Sequence, residues 1–190
     1  MHFDIIDTLY SLPGIVIGLT LHEYCHALAA YKLGDGTAKA DGRLTFDPIK
    51  HIDPIGFLFI VIAGFGWAKP VSFDPRNLAH PRRDRVIIAL AGPLSNLALG
   101  IVSLFIVKLF SLAGIHISSL PLFAVYKTVF YVLLYTAMIN LGLFIFNILP
   151  IFNRTSRTSQ EGGLCLGCEW CLLCYHSDWN TSLQYPILHY

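Results

Sequence analysis

The chain has 190 residues, 55% of them hydrophobic and only 13% charged, where a soluble domain carries about 25% charged residues. A formal net charge of +1 gives no footing for a nucleic-acid partner. The charges gather in two stretches, Lys32 to Asp53 and Lys69 to Arg85, separated and followed by long apolar runs, which argues against a soluble fold and for one compact membrane bundle.

The N-terminus opens Met1-His2-Phe3-Asp4, without a basic n-region or a small-residue cleavage site. The first apolar segment, Leu12 to Leu33, is therefore expected to be retained. It is long enough to cross a bilayer, for which roughly 20 helical residues suffice. Its competitor is the buried helix of a soluble protein. The segment is interrupted by His22-Glu23-Tyr24-Cys25-His26. Residues four apart share a helix face, so His22 and His26 can present both imidazoles to one metal ion. Zinc lowers the pKa of water towards 7, and Glu23 beside it can take the proton. This is the HExxH pattern of zinc peptidases. In a soluble helix the pattern is weak. Inside an apolar span, three titratable groups in one turn cost several kcal/mol, and a metal site explains them better than packing.

Gly34 to Asp53 reads as a polar loop, with a short strand around Arg43 to Phe46. Pro54 to Trp67 is apolar but reaches only about 20 Å as a helix, so it either spans a thinned bilayer or re-enters. Ala68 to Arg85 carries Pro70, Pro75 and Pro81 among Arg76, Arg82, Arg83 and Arg85. Both polar stretches claim the cytoplasmic side by their basic residues, and both can have it only if Pro54 to Trp67 re-enters. Val86 to Phe110 is a clear span; its Gly92, Ser95 and Gly100 are small residues that let helices approach, and Asn96 lies among them. The last strong span is Pro121 to Pro150. It contains Asn140 and Asn147, and its Tyr126, Tyr131 and Tyr135 serve packing or the interface. No internal repeat is visible.

Several blocks then resemble one family closely: LHEYCHALAAYKLGD (Leu21 to Asp35), GRLTFDPIKHIDPIG (Gly42 to Gly56), GFGWAKPVSFDPRNL (Gly64 to Leu78), ALAGPLSNL (Ala89 to Leu97) and NLGLFIFNILPI (Asn140 to Ile151). Together they resemble the small prokaryotic branch of the site-2 proteases, the intramembrane zinc metalloproteases. The resemblance covers most of the chain and is far more specific than HExxH alone. It implies a helical membrane core holding Zn2+ through His22, His26 and an aspartate, with Glu23 catalytic. The implied reaction is hydrolysis of peptide bonds in or near the transmembrane segments of substrate proteins. Asn140 and Asn147 could line the cleft or bond unwound substrate backbone; helix-to-helix hydrogen bonding is the competing reading. His51, Asp53 and Lys69 match family elements near the mouth of the site, where they read as loop-structuring, and Trp67 as an interfacial anchor.

After Ile151 the family text stops. The family continues Ile-Pro-Pro-Leu-Asp-Gly; here Thr155 stands in the aspartate's place and Ser156 in the glycine's. A neutral hydroxyl is a poor zinc ligand, and catalytic zinc takes three protein ligands, so the sequence names no third ligand. Asp178 or a tail cysteine is a weak substitute. The abrupt break suggests a tail derived from a reading-frame change. Cys165, Cys168, Cys171 and Cys174 stand at regular two-residue gaps. The ferredoxin run has a longer last gap, and zinc knuckles pair across a longer loop, so reduced cysteines in an ill-structured tail are the simpler reading. Asn153-Arg154-Thr155 and Asn180-Thr181-Ser182 match glycosylation sequons, a weak signal.

The expectation is thus an all-α polytopic transmembrane bundle of about four membrane segments. Residues 1–151 form the metalloprotease core and residues 152–190 a divergent, irregular tail. The protein is expected in the cell membrane of a prokaryote, with transmembrane proteins as substrates. A catalytically inactive family remnant that binds membrane segments is the alternative, and a metal or redox role for the cysteine tail a distant third.

Overall fold

The computed structural model describes residues 5–63, 66–113 and 120–154. Thr155, Asp178 and the four tail cysteines lie outside the described residues.

Three long helices make the frame: α1 (Ile5–Lys32), α5 (Pro81–Ala113) and α6 (Leu120–Arg154). Each packs against the other two. Between α1 and α5 come α2 (Thr37–Ala40), α3 (Pro48–His51), α4 (Pro54–Ala63) and a 3-10 turn at Pro75–Asn77. The short helices start where the sequence supplies caps. Asp47 accepts from the Ile49 amide at 3.0 Å ahead of Pro48, and Asp53 accepts from Ile55 and Gly56 at 3.0 and 2.8 Å ahead of Pro54.

The expected strand at Arg43 to Phe46 is not formed. Its backbone bonds are spent locally: the Arg43 amide donates to Ala38 O at 2.9 Å and the Asp47 amide to Thr45 Oγ1 at 3.2 Å. The sole isolated bridge among the described residues joins Ile52 to Ala68. That bridge decides the course of the apolar segment between them. The Lys69 amide also donates to His51 O at 2.8 Å, and a side chain on Gly56 would run into Trp67 O. The two ends of the segment meet, so α4 leaves and returns on one side. At ten residues, about 15 Å, it is too short to cross.

Among the described residues, two helices are long and apolar enough to cross a membrane, Pro81–Leu112 and Phe123–Leu149. The expected four are not shown. The polar residues at the centre of α1 lower its apolarity, and α4 folds back. Only 28% and 17% of the most apolar windows of those two helices are buried, whereas the core helix of a soluble protein would be mostly buried. Large apolar residues such as Ile101, Phe105, Leu109, Val125 and Ile145 point outward, while His22, Glu23, His26, Asn96 and Asn140 are buried. This inversion is what a lipid solvent favours.

Small residues set the approach of α1 to α6. A Cβ on Gly14 would stand 2.6 Å from Thr136 Cα, and one on Gly18 would meet the Asn140 carboxamide. Tyr10 stacks on Tyr131 and Tyr135 at 5.5 and 6.3 Å, which gives these tyrosines the packing role. Gly100 faces Leu141 in the same way, as small-residue packing of α5 on α6 requires.

Candidate metal centre

One turn of α1 carries the candidate ligands, and helical spacing brings them together. His22 and His26 Nε2 atoms are 2.9 Å apart, with the rings at 81° to each other. Both rings are buried, at 6% and 2% exposure. Their outer nitrogens are held by α5. His26 Nδ1–H donates to Ile88 O at 2.7 Å, and the Asn96 carboxamide Nδ2 donates to His22 Nδ1 at 3.1 Å. In that arrangement His22 carries its proton on Nε2 and donates it to His26 Nε2.

Do these residues fit a zinc ion? Imidazoles bind it at 2.0–2.1 Å, so two tetrahedral ligands stand about 3.3 Å apart. The observed pair needs to open by a few tenths of an ångström and give up one shared proton. Gly92 of α5 provides room: a Cβ there would lie 2.6 Å from His22 Nε2 and would also collide with His26 Nε2. The two histidines fit the ion. Among the described residues no group of three His, Cys, Asp or Glu side chains forms, so they supply two ligands.

Glu23, next to His22 on α1, is buried at 2% exposure. Its Oε2 accepts from the Val71 amide at 3.1 Å. Val71 belongs to an extended strap, residues 68–74, tied to His51 and Ile52 at one end. At the other end the Asp74 amide donates to Asp35 Oδ2 at 2.9 Å. Asp35, just past α1, also accepts from Thr37 Oγ1 at 2.6 Å, the Thr37 amide at 3.2 Å and Asn77 Nδ2 at 2.8 Å.

The remaining candidates fall elsewhere. Asn140 is fully buried between α6 and α1, donating to Gly14 O at 3.2 Å and Thr136 O at 2.8 Å, contacts of the helix-to-helix kind. Asn147 donates to Leu143 O within its own helix at 2.8 Å. His51 is buried and donates from Nε2 to Thr45 O at 2.8 Å; with Asp53 capping α4 it structures the loop. Trp67 packs on Phe59 of α4 at 5.5 Å. Sequence reasoning assigned Gly92 to packing and gave Asn96 no role, yet both touch the histidines. Their signal was faint: small and amide residues one helical turn apart in an apolar span. Val71 had none beyond its family block.

Described residues whose regular structure is helical, with long apolar helices and a buried HExxH pair, define a helical protein of the zinc-motif class. Comparison with known proteins narrows it. Over 142 residues, 75% of this chain and 63% of the relative, it is 41% identical to the "Putative zinc metalloprotease YwhC" of Bacillus subtilis. It is 30% identical over 104 residues to the "Putative zinc metalloprotease Rip2" of Mycolicibacterium smegmatis, covering 52% of this chain and 40% of that one. Rip2 of Mycobacterium tuberculosis is 32% identical over 103 residues, with 52% and 39% covered. The chain belongs to the site-2 protease family, with these homologues. It spans less than two thirds of the length of the curated relatives it matches. No family model matches, and no solved structure matches.

Proposed function

We propose that this chain works in a lipid bilayer as a zinc metalloprotease that hydrolyses peptide bonds in or near transmembrane segments. The observation that carries the reading is the convergence of His22 and His26 Nε2 at 2.9 Å, with Glu23 following His22 in the same helical turn. Zinc held there supplies Lewis-acid activation of water. His22 and His26 hold the ion, and Glu23 accepts the proton of the attacking water, oriented through Oε2 by the Val71 amide. The packed helices around the pair exclude bulk water, which strengthens these interactions. α1 is the third crossing segment in this reading, its polar turn sheltered between α5 and α6.

Asn147 has the better claim of the two asparagines to a cleft role. Gly14 faces Thr136 and Gly18 faces Asn140, so α1 and α6 run parallel and advance in step. Continuing that step places Asn147 level with Cys25 and His26. A substrate helix must unwind near the site to expose a carbonyl, and an amide at that height can bond the freed backbone.

The test uses the full chain, purified in detergent and supplied with a transmembrane reporter. Zinc is expected to bind the wild type and to be lost in the His22→Ala, His26→Ala double variant. Glu23→Gln should keep zinc and lower cleavage by about 10²- to 10⁴-fold, the usual worth of a general base. Zinc binding without cleavage, unaltered by Glu23→Gln, would instead support the second reading, a non-catalytic remnant that binds membrane segments. Thr155, in place of the family aspartate, is the observation that favours it.

A further inference from the structure

The functional reading rests on three residues of α1 and leaves a row on α5 unexplained. Ile88, Gly92 and Asn96 are spaced by four, so they share one helix face, and that face meets both histidines. Ile88 O takes the Nδ1–H of His26 at 2.7 Å; Asn96 meets Nδ1 of His22 at 3.1 Å; Gly92 lies against both Nε2 atoms. One face of one helix thus contacts each imidazole at its outer nitrogen and leaves a gap at the inner ones.

The two outer partners differ in chemistry. A carbonyl only accepts, so Ile88 fixes His26 with its proton on Nδ1 and a lone pair on Nε2, the form that binds a metal. A carboxamide can do either. As placed, Asn96 donates from Nδ2, which leaves the proton of His22 on Nε2, pointing at His26. Asn96 Oδ1 is meanwhile buried and has no hydrogen-bond partner among the described residues. A half-turn of the carboxamide brings Oδ1 to His22 Nδ1. That oxygen then accepts from Nδ1–H, and His22 Nε2 gains a lone pair. The flip keeps the bond between His22 Nδ1 and Asn96 but gives up the Nε2–H bond from His22 to His26, so the second state is favoured only when a cation takes up the two facing lone pairs. Metal-binding histidines are ordinarily held by such an acceptor on the second nitrogen.

We propose that Asn96 is the positioning residue of the metal pair, its carboxamide donating to His22 in the free protein and accepting from it when both Nε2 atoms face a divalent cation, while Gly92 keeps the ion's space open. The inference rests on the metalloprotease reading and adds to it a residue on a second helix that sets the state of the first.

The experiment measures Zn2+ affinity of the full chain in detergent by competition with a chelator, for wild type, Asn96→Asp and Asn96→Leu. Helix content is checked by circular dichroism. Asn96→Leu, which removes the acceptor, should weaken binding by about 10- to 100-fold, the usual effect of losing such a partner. Asn96→Asp keeps an acceptor and should stay within a few-fold of wild type or bind more tightly. Histidine 15N shifts of the zinc-loaded wild type should show Nδ1 of His22 protonated and Nε2 metal-bound. A folded Asn96→Leu with wild-type affinity, an Asn96→Asp as weak as Asn96→Leu, or coordination through His22 Nδ1 would each overturn the inference. Should Asn96→Leu fail to fold, Asn96→Asp and the 15N shifts decide alone. A wild type that takes up no zinc would sink the metalloprotease reading as well; the other failures leave that reading standing.

Discussion

Two buried carboxylates hold the same strap, Glu23 at its middle through Val71 and Asp35 at its end through Asp74, and they serve different ends. Glu23 takes one described donor, the Val71 amide, whereas Asp35 takes four. Burial alone pushes the Asp35 carboxyl upward, but the bonds from Asn77, the Thr37 side chain and the Asp74 and Thr37 amides outweigh it and hold it below the ordinary carboxylate range. A depressed folded value means the charged form stabilises the fold. That contribution is complete above the unfolded value of about 3.9 and is lost as pH falls through the lower folded value. Asp35→Asn puts an amide among donors and should cost about 2 kcal/mol at neutral pH, since a buried donor loses its acceptor. Thermal unfolding in detergent should show a constant gap between wild type and variant from about pH 7 to 5, closing below about pH 4. A gap that persists unchanged at the lowest pH would mean the carboxylate charge is not what ties the strap to α1.

At the scale of the elements, the contact of α1 with α6 depends on glycines that admit a polar partner. Gly18 leaves room for the Asn140 carboxamide, whose Nδ2 reaches Gly14 O on the same helix. Gly18→Ala should therefore destabilise the bundle by about 1–3 kcal/mol, the cost of overpacking. Asn140→Ala in the same chain should recover part of that loss, because the added methyl then meets a small side chain. Additive losses in a double-mutant cycle would show that the two residues do not share this space. The long apolar runs made these helices readable from sequence, and HExxH made the histidine pair readable, because both are local patterns. Gly92 and Asn96 were not, since their meaning depends on which face of α5 meets α1, and that is set by packing. The strap was hidden for another reason: residues 68–74 have no periodicity, and their order comes from Asp35, His51 and Glu23, all distant in sequence. The strand expected at Arg43 to Phe46 does not form because its polar groups are bonded close by: the Arg43 amide donates to Ala38 O, His51 Nε2 donates to Thr45 O, and the Arg43 guanidinium reaches Lys50 O.

For the whole molecule, the meeting of residues 52 and 68 decides, in the proposed membrane reading, on which sides of a bilayer the basic loops lie. With α4 returning to its starting side, the loop holding Lys39, Arg43 and Lys50 and the one holding Arg76, Arg82, Arg83 and Arg85 lie on the same face. The sequence left that open, because positive charge favoured both loops equally and only the course of Pro54 to Trp67 could reconcile them. In the membrane reading proposed above, in which α1 also crosses, the positive-inside rule puts both basic loops on the cytoplasmic side, so that α1 would enter that face with its C-terminal end and α5 depart from it. The HExxH turn of α1 then lies between that end and the bilayer centre, with His26 about 9 Å and His22 about 15 Å before Lys32 along the helix. Single cysteines at Lys50 and Arg82, in a chain whose own cysteines are replaced by alanine, should react with a membrane-impermeant maleimide only after the inner face is opened. A cysteine at Leu112, at the far end of α5, should react in intact cells. Opposite accessibility of the Lys50 and Arg82 positions would mean that the apolar segment between them crosses after all, and the shared cytoplasmic face would be lost with it.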